Sequence, residues 1–167
     1  FYNVTINAGA TLINQTGSIM RIAGTMTNNG VWNVAFNTDN TVEYNGGNQI
    51  VLNPNGTILG YNKLILSGSG VKTMPNTSLI IHEDFSMSGT ASATAAAPMT
   101  IQGNFTLGAG TTFITGPYTH SIGGNFNNFS TGFNATGSTI ILDGTTLQII
   151  DGTVSSTFNN LTLNNAA

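Results

Sequence analysis

Chemistry in this chain would have to come from very few side chains. His82, Glu83 and Asp84 form the only cluster of ionisable residues, and two carboxylates beside an imidazole are a donor set suited to Ca²⁺ or Zn²⁺. A metal site needs three or more convergent ligands, and the second histidine, His120, belongs at best to an adjacent row. The cluster therefore reads as a solvated turn, and no metal or cofactor is expected. The other carboxylates, Asp39, Glu43, Asp143 and Asp151, are scattered, and Arg21 is the only arginine. A glycosidase holds two carboxylates roughly 5 to 9.5 Å apart. A lyase needs a base together with cationic or metal neutralisation of a uronate. Asp143 and Asp151 each precede Gly and read as turn residues. No catalytic residue is assigned, and the chain reads as non-enzymatic.

Sugar binding would use the aromatics instead. Trp32, Tyr2, Tyr44, Tyr61 and Tyr118 could stack on carbohydrate while Asn and Thr supply hydrogen bonds; the competing reading makes Trp32 a core residue standing in for Phe113 or Phe133. Asn-x-Ser/Thr occurs at Asn3, Asn14, Asn55, Asn76, Asn104, Asn128, Asn134 and Asn160, little more than such a composition yields by chance. Asn29-Gly30, Asn45-Gly46 and Asn55-Gly56 are deamidation-prone pairs.

Composition narrows the classes further. Charged residues make up 5% of the 167 residues, against about a quarter in ordinary soluble domains, so the surface must hydrate through Asn, Thr, Ser and Gly. Three basic residues, Arg21, Lys63 and Lys72, leave no footprint for a phosphate backbone or an anionic membrane. Cysteine is absent, which removes disulfides, Cys-ligated zinc and thiol catalysis. No apolar run has the length of a membrane span. The absence of an initiator Met at Phe1 suggests a processed precursor or a piece of something larger, and near-zero charge density suits an extracellular, cell-surface location.

The elements are strands. Val4-Thr5-Ile6, Thr41-Val42-Glu43-Tyr44, Leu64-Ile65-Leu66, Ser138-Thr139-Ile140-Ile141-Leu142 and Leu161-Thr162-Leu163 are β-branched or aliphatic runs closed by turn-forming residues. No stretch carries an i, i+3, i+4, i+7 apolar face, so helix is expected to be essentially nil. Degenerate copies of Met99-Thr100-Ile101-Gln102-Gly103-Asn104-Phe105-Thr106-Leu107 recur at a spacing of about 20 residues. Superposed, they align Ile22, Ile81, Ile101 and Ile122, then Gly24, Glu83, Gly103 and Gly124, then Thr25, Asp84, Asn104 and Asn125, then Met26, Phe85, Phe105 and Phe126. The first and last sets are the predicted core rows, and the two between them turn positions, of a parallel β-helix, β-solenoid or stacked β-arcade of about nine coils, a single segment spanning 1–167. One coil cannot bury its apolar side chains alone, but a stack of coils can. Rows of Asn are expected to add amide ladders. Ala91 to Ala97 is either a bulging loop or a small-residue face.

A longer repeat lies above the short one. Phe1-Tyr2-Asn3-Val4-Thr5-Ile6 returns as Tyr61-Asn62-Lys63-Leu64-Ile65-Leu66 and as Phe158-Asn159-Asn160-Leu161-Thr162-Leu163, while Thr41 to Gly46 followed by Gln49 returns as Thr139 to Gly144 followed by Gln148. The Phe-Asn-Asn-Leu-Thr-Leu-Asn motif, with Gly-Asn-Phe-Thr-Leu at 103–107 and Ala-Gly-Ala-Thr-Leu at 8–12, resembles the Asn/Thr/Gly-rich β-solenoid repeats of large secreted surface proteins of bacteria and archaea. Those arrays are adhesin-like and filamentous-haemagglutinin-like, and the resemblance implies an extracellular structural or adhesive role. Open strand edges invite pairing, so Phe1, Tyr2, Val4, Ile6, Phe158, Leu161 and Leu163 are predicted assembly edges, with further copies of the chain as the expected partner and surface carbohydrate as a second.

Overall fold

The computed structural model describes residues 1–34 and 39–166. Within them the backbone is strand and turn, with no helix, wound as a parallel β-solenoid of about 7 turns in which strands stack about 21 residues apart. Each turn has three faces. The first carries Val4–Ile6, Met26–Asn28, Gln49–Ile50, Val71–Thr73, Ser92–Thr94, Thr112–Ile114 and the start of Gly132–Leu142. The second carries Thr11–Asn14, Val31–Val34, Leu79–Ile81, Met99–Ile101, Thr119–Ile122, the end of Gly132–Leu142, and Phe158–Leu163. The third is an unbroken ladder of seven strands: Ile19–Ile22, Thr41–Tyr44, Lys63–Leu66, Phe85–Met87, Phe105–Leu107, Phe126–Asn128 and Ile150–Asp151. Seven turns replace the nine expected from even spacing, because the corners vary in length. Phe126 to Ile150 is a longer step than Phe85 to Phe105.

Parallel register converts sequence similarity into columns. Ile81, Ile101 and Ile122 stand in line on the second face, with Leu142 and Leu163 above them. Phe85, Phe105 and Phe126 stand in line on the third, over Leu64, Val42 and Met20. Ile22 and Met26 do not join these columns. Ile22 pairs with Tyr44 at the end of a third-face strand, and Met26 pairs with Val4 on the first face. The alignment slips by a third of a turn there, because Ile22 to Met26 joins the third face to the first with the same four-residue spacing by which Ile81 to Phe85 joins the second to the third. The longer repeat does the same: its three copies lie on the first, third and second faces respectively.

Inside the coil, rings lie on rings. Phe85 and Phe105 have centroids 5.4 Å apart at 28°, and Phe105 and Phe126 5.1 Å apart at 10°. Phe113, from the first face, meets Phe85 at 5.6 Å. At about 25 cal/mol per Å², each buried Phe contributes roughly 1.5 to 3 kcal/mol, before about 0.5 to 1.5 kcal/mol from ring pairing. Ala91, Ala93, Ala95 and Ala97 are buried around the strand Ser92–Thr94, so this stretch is a small-residue inner face rather than a bulge. The corner between third and first faces is a column of Gly68, Gly89 and Gly110 with φ of 72°, 67° and 83°. A Cβ on Gly89 would lie 2.4 Å from Gly68 O, so both the left-handed turn and the close stacking require glycine.

Candidate functional site

His82, Glu83 and Asp84 occupy the corner between second and third faces, and the structure sends them to three different partners. The His82 Nε2 lies 3.1 Å from Leu59 O. Glu83 accepts from Asn62 Nδ2 at 2.9 Å and pairs with Lys63 Nζ at 3.2 Å. The Asp84 Oδ1 accepts from the backbone N–H of Asn104 at 2.7 Å and from its Nδ2 at 3.0 Å. Among the described residues no group of three or more His, Cys, Asp or Glu is placed to hold a metal ion.

The dispersed carboxylates are equally occupied. Glu43 pairs with Arg21 at 2.8 Å and accepts from Ser67 Oγ at 2.6 Å. Lys63 bridges Asp39 and Glu83, and the hydrogen bond to Asp39 is the largest influence holding its amino group above the ordinary lysine value. Asp143 accepts from Ser121 Oγ at 2.6 Å, and Asp151 from the N–H of Gly152 at 2.7 Å. Each of these carboxylates but Asp151, which bonds its own chain neighbour, ties one coil to the next.

The aromatics expected to offer sugar platforms divide. Trp32, Tyr44 and Tyr61 are fully buried. The Trp32 indole donates to Asn14 Oδ1 at 2.8 Å, and the Tyr44 and Tyr61 hydroxyls meet at 3.2 Å, with burial pushing both phenols up. Trp32 is thus a core residue, although on the second face rather than beside Phe113 and Phe133. Tyr2 is exposed and Tyr118 half-buried, its ring edge-on to His120 at 6.4 Å. Two of the Asn-x-Ser/Thr asparagines, Asn14 and Asn128, are interior.

What the structure does concentrate is amide chemistry at the corners. Asp84, Asn104 and Asn125 form a ladder in which each side-chain oxygen accepts a backbone N–H from the coil above: Asn104 N to Asp84, Asn125 N to Asn104 at 2.8 Å, and Ile149 N to Asn125 at 2.9 Å. The ladder runs from side chain to backbone, where a like-on-like amide row was expected. Asn55 works toward the coil below instead: it accepts from Trp32 N–H at 2.9 Å and donates to Gly30 O at 2.9 Å, so its amide stands in for a peptide unit. Lys72, Gln49 and Gln148 carry a second device that sequence reading passed over. The matched positions of the two glutamines in the longer repeat were the available signal.

The predicted edges lie at the two ends of the rod. Val4–Ile6 pairs only with Met26–Asn28, and Phe158–Leu163 only with Gly132–Leu142, among the described residues. Phe1 (76%), Tyr2 (75%), Leu161 (38%) and Leu163 (70%) are exposed, Leu161 and Leu163 at the end of the columns that run through Ile140 and Leu142, and Leu147 (79%), Ile149 and Ile150 are exposed near the same end. Val4 and Phe158 are half-buried, and Ile6 points into the core at 4%. The Ile6 side chain therefore packs in the core. Comparison with family models, curated proteins and solved structures finds no match to this chain.

Proposed function

We propose that the chain is a non-enzymatic, extracellular structural protein: a length of cell-surface fibre, tube, sheath or adhesin stalk that grows by stacking β-coils within and between copies. The observation that carries this reading is the in-register parallel ladder, whose first and last strands have, among the described residues, one unpaired edge and exposed apolar side chains. Such an edge is a template for the next strand, and the cohesion of a solenoid is a sum of nearest-neighbour interfaces that a second copy can extend. The low charge density and the engagement of each carboxylate by a neighbouring group support a scaffold over a catalyst. The burial of Trp32, Tyr44 and Tyr61 disfavours the carbohydrate-binding alternative.

Concentrated protein is expected to form rods whose fibre diffraction shows a repeat of about 4.8 Å along the axis. Asn164 N–H donates to Leu142 O, so alternation along the parallel ladder turns the backbone groups of Leu161 and Leu163 outward. Leu163→Pro therefore removes an outward N–H while sparing the internal ladder. It should shorten or abolish rods at an unchanged melting temperature. A wild-type protein that stays monomeric at high concentration, with both end strands exchanging hydrogen freely, overturns the proposal.

A further inference from the structure

Of the three cations, Lys72 alone is buried, at 0% exposure, while its ordinary place would be the surface. It sits inward on Val71–Thr73, in register with Gln49 in the coil below and Ala93 in the coil above. Its Nζ lies 2.8 Å from Gly46 O, 2.8 Å from Gly47 O and 2.6 Å from Gln49 Oε1. An ammonium group has three N–H donors and no acceptor, so three oxygens satisfy it completely. No carboxylate lies within ion-pair distance of it among the described residues.

The Gln49 amide is held independently of the lysine. Gly46 N–H donates to Gln49 Oε1 at 2.8 Å, while Gln49 Nε2 donates to Ile22 O at 2.7 Å and Gly24 O at 2.8 Å. The same glutamine clasp is built a second time at another corner, in a loop one residue longer: Gly144 N–H donates to Gln148 Oε1 at 2.8 Å, and Gln148 Nε2 to Ile122 O at 2.8 Å and Gly124 O at 2.6 Å. There the incoming donor is the amide of Asn165, whose Nδ2 reaches Thr146 O at 2.6 Å and Gln148 Oε1 at 2.9 Å. Two loops at different corners receive different donors from the following coil on a clasped glutamine oxygen and a neighbouring backbone carbonyl, so the receptive geometry belongs to the clasp and not to the donor.

We propose that Gly46 O, Gly47 O and Gln49 Oε1 form a binding site for a small monovalent cation of the ammonium or potassium type, kept filled in the native chain by the tethered amino group of Lys72. Three neutral oxygens match a singly charged ion of low hydration, whereas Ca²⁺ and Mg²⁺ call for carboxylates and six or more ligands. Burial pushes the Lys72 amino group down to about 8. The cradle opposes that push, because a neutral amine would turn its lone pair toward one of the three oxygens.

Lys72→Ala cuts the tether and leaves the volume of the stem as a passage. Its melting should be followed at one ionic strength in ammonium, potassium, sodium and tetramethylammonium chlorides. The variant is expected to melt lower than wild type in tetramethylammonium and to regain part of the loss in ammonium or potassium, with a gain that rises logarithmically with concentration above the dissociation constant. Wild type, and Lys72→Met with its apolar stem in the passage, should show no such selectivity. A Lys72→Ala protein that melts alike in all four salts overturns the site. If that variant does not fold in any salt, nitrogen-15 lysine labelling of the wild type decides, since Lys63 and Lys72 are the only two lysines. A Lys72 ammonium resonance protected from exchange at neutral pH, beside a fast-exchanging Lys63, upholds the cradle. Equal exchange of the two overturns it.

Discussion

At the residue scale the chain does with amides what other proteins do with charges. Asn104, Asn125 and Asn55 accept or donate in the plane of a peptide, so they extend the backbone ladder around corners where strands cannot. The same bonds shield the Asn-Gly pairs, whose deamidation needs the glycine nitrogen to reach the side-chain carbonyl. Gly46 N–H is held by Gln49 and Gly30 N–H by Asn28 Oδ1 at 3.1 Å, while the Asn55 side chain is fixed from both ends. Peptide mapping after incubation at mildly alkaline pH should show slower mass gain at Asn29, Asn45 and Asn55 in the native protein than in the urea-unfolded chain. His120 supplies a pH dependence. Its Nδ1 accepts from Met99 N–H at 3.2 Å, leaving Nε2 to donate to Thr115 O at 2.9 Å, and burial, partly opposed by that second bond, holds the imidazole below its ordinary value. As pH falls through the ordinary histidine range near 6.5, the unfolded chain binds a proton that the folded chain does not, so stability is lost on acidification. The melting temperature should drop from neutral to acidic pH, and the drop should be smaller in His120→Gln.

At the element scale the weight falls on columns, and a column is only as continuous as its members. Phe105 has a ring above it and a ring below it, so Phe105→Ala opens a void that the neighbouring coils cannot close. Unfolding of that variant should require about 3 to 5 kcal/mol less free energy, measured by urea titration. The glycine corner is constrained in the opposite sense. Gly89→Ala places a methyl against Gly68 O at a positive φ, and about 1 to 3 kcal/mol of strain is expected. The exposed Gly9, whose Cβ would meet nothing within 4 Å, carries only the φ penalty, so Gly9→Ala should be the milder of the two in the same titration.

At the scale of the whole molecule, strands pair about one turn apart and rings meet up to 32 residues apart, as Phe126 and Phe158 do, so each coil is stabilised chiefly by its neighbours in the stack. Charge contributes little: Arg21–Glu43 and the Lys63 pairs are the ion pairs among the described residues, and they lie in the N-terminal half. Exposed pairs contribute about 0 to 1 kcal/mol each and weaken with salt. Raising sodium chloride from tens of millimolar to molar should therefore leave the urea midpoint nearly unchanged, apart from a small loss traceable to Arg21→Gln and Lys63→Gln controls.

Strand content, the repeat near twenty residues, the parallel stack and the rows through Ile81, Ile101 and Ile122 were all legible in the amino acids, because alternation and periodicity are local properties of the chain. The assignment of strands to faces was not. Ile22 and Met26 carry the same local spacing as Ile81 and Phe85, and only the accumulated length of the corners decides which of the three faces a strand reaches. Burial of Lys72 was illegible for a related reason: its oxygens come from the coil below and are aimed by Gln49, which is itself held by Ile22 O and Gly24 O. Sequence alone determines that this chain must stack, since no single coil can bury its own apolar side chains. Tertiary structure decides what meets what, since partners one turn away are selected by register, and register is the sum of every turn before them.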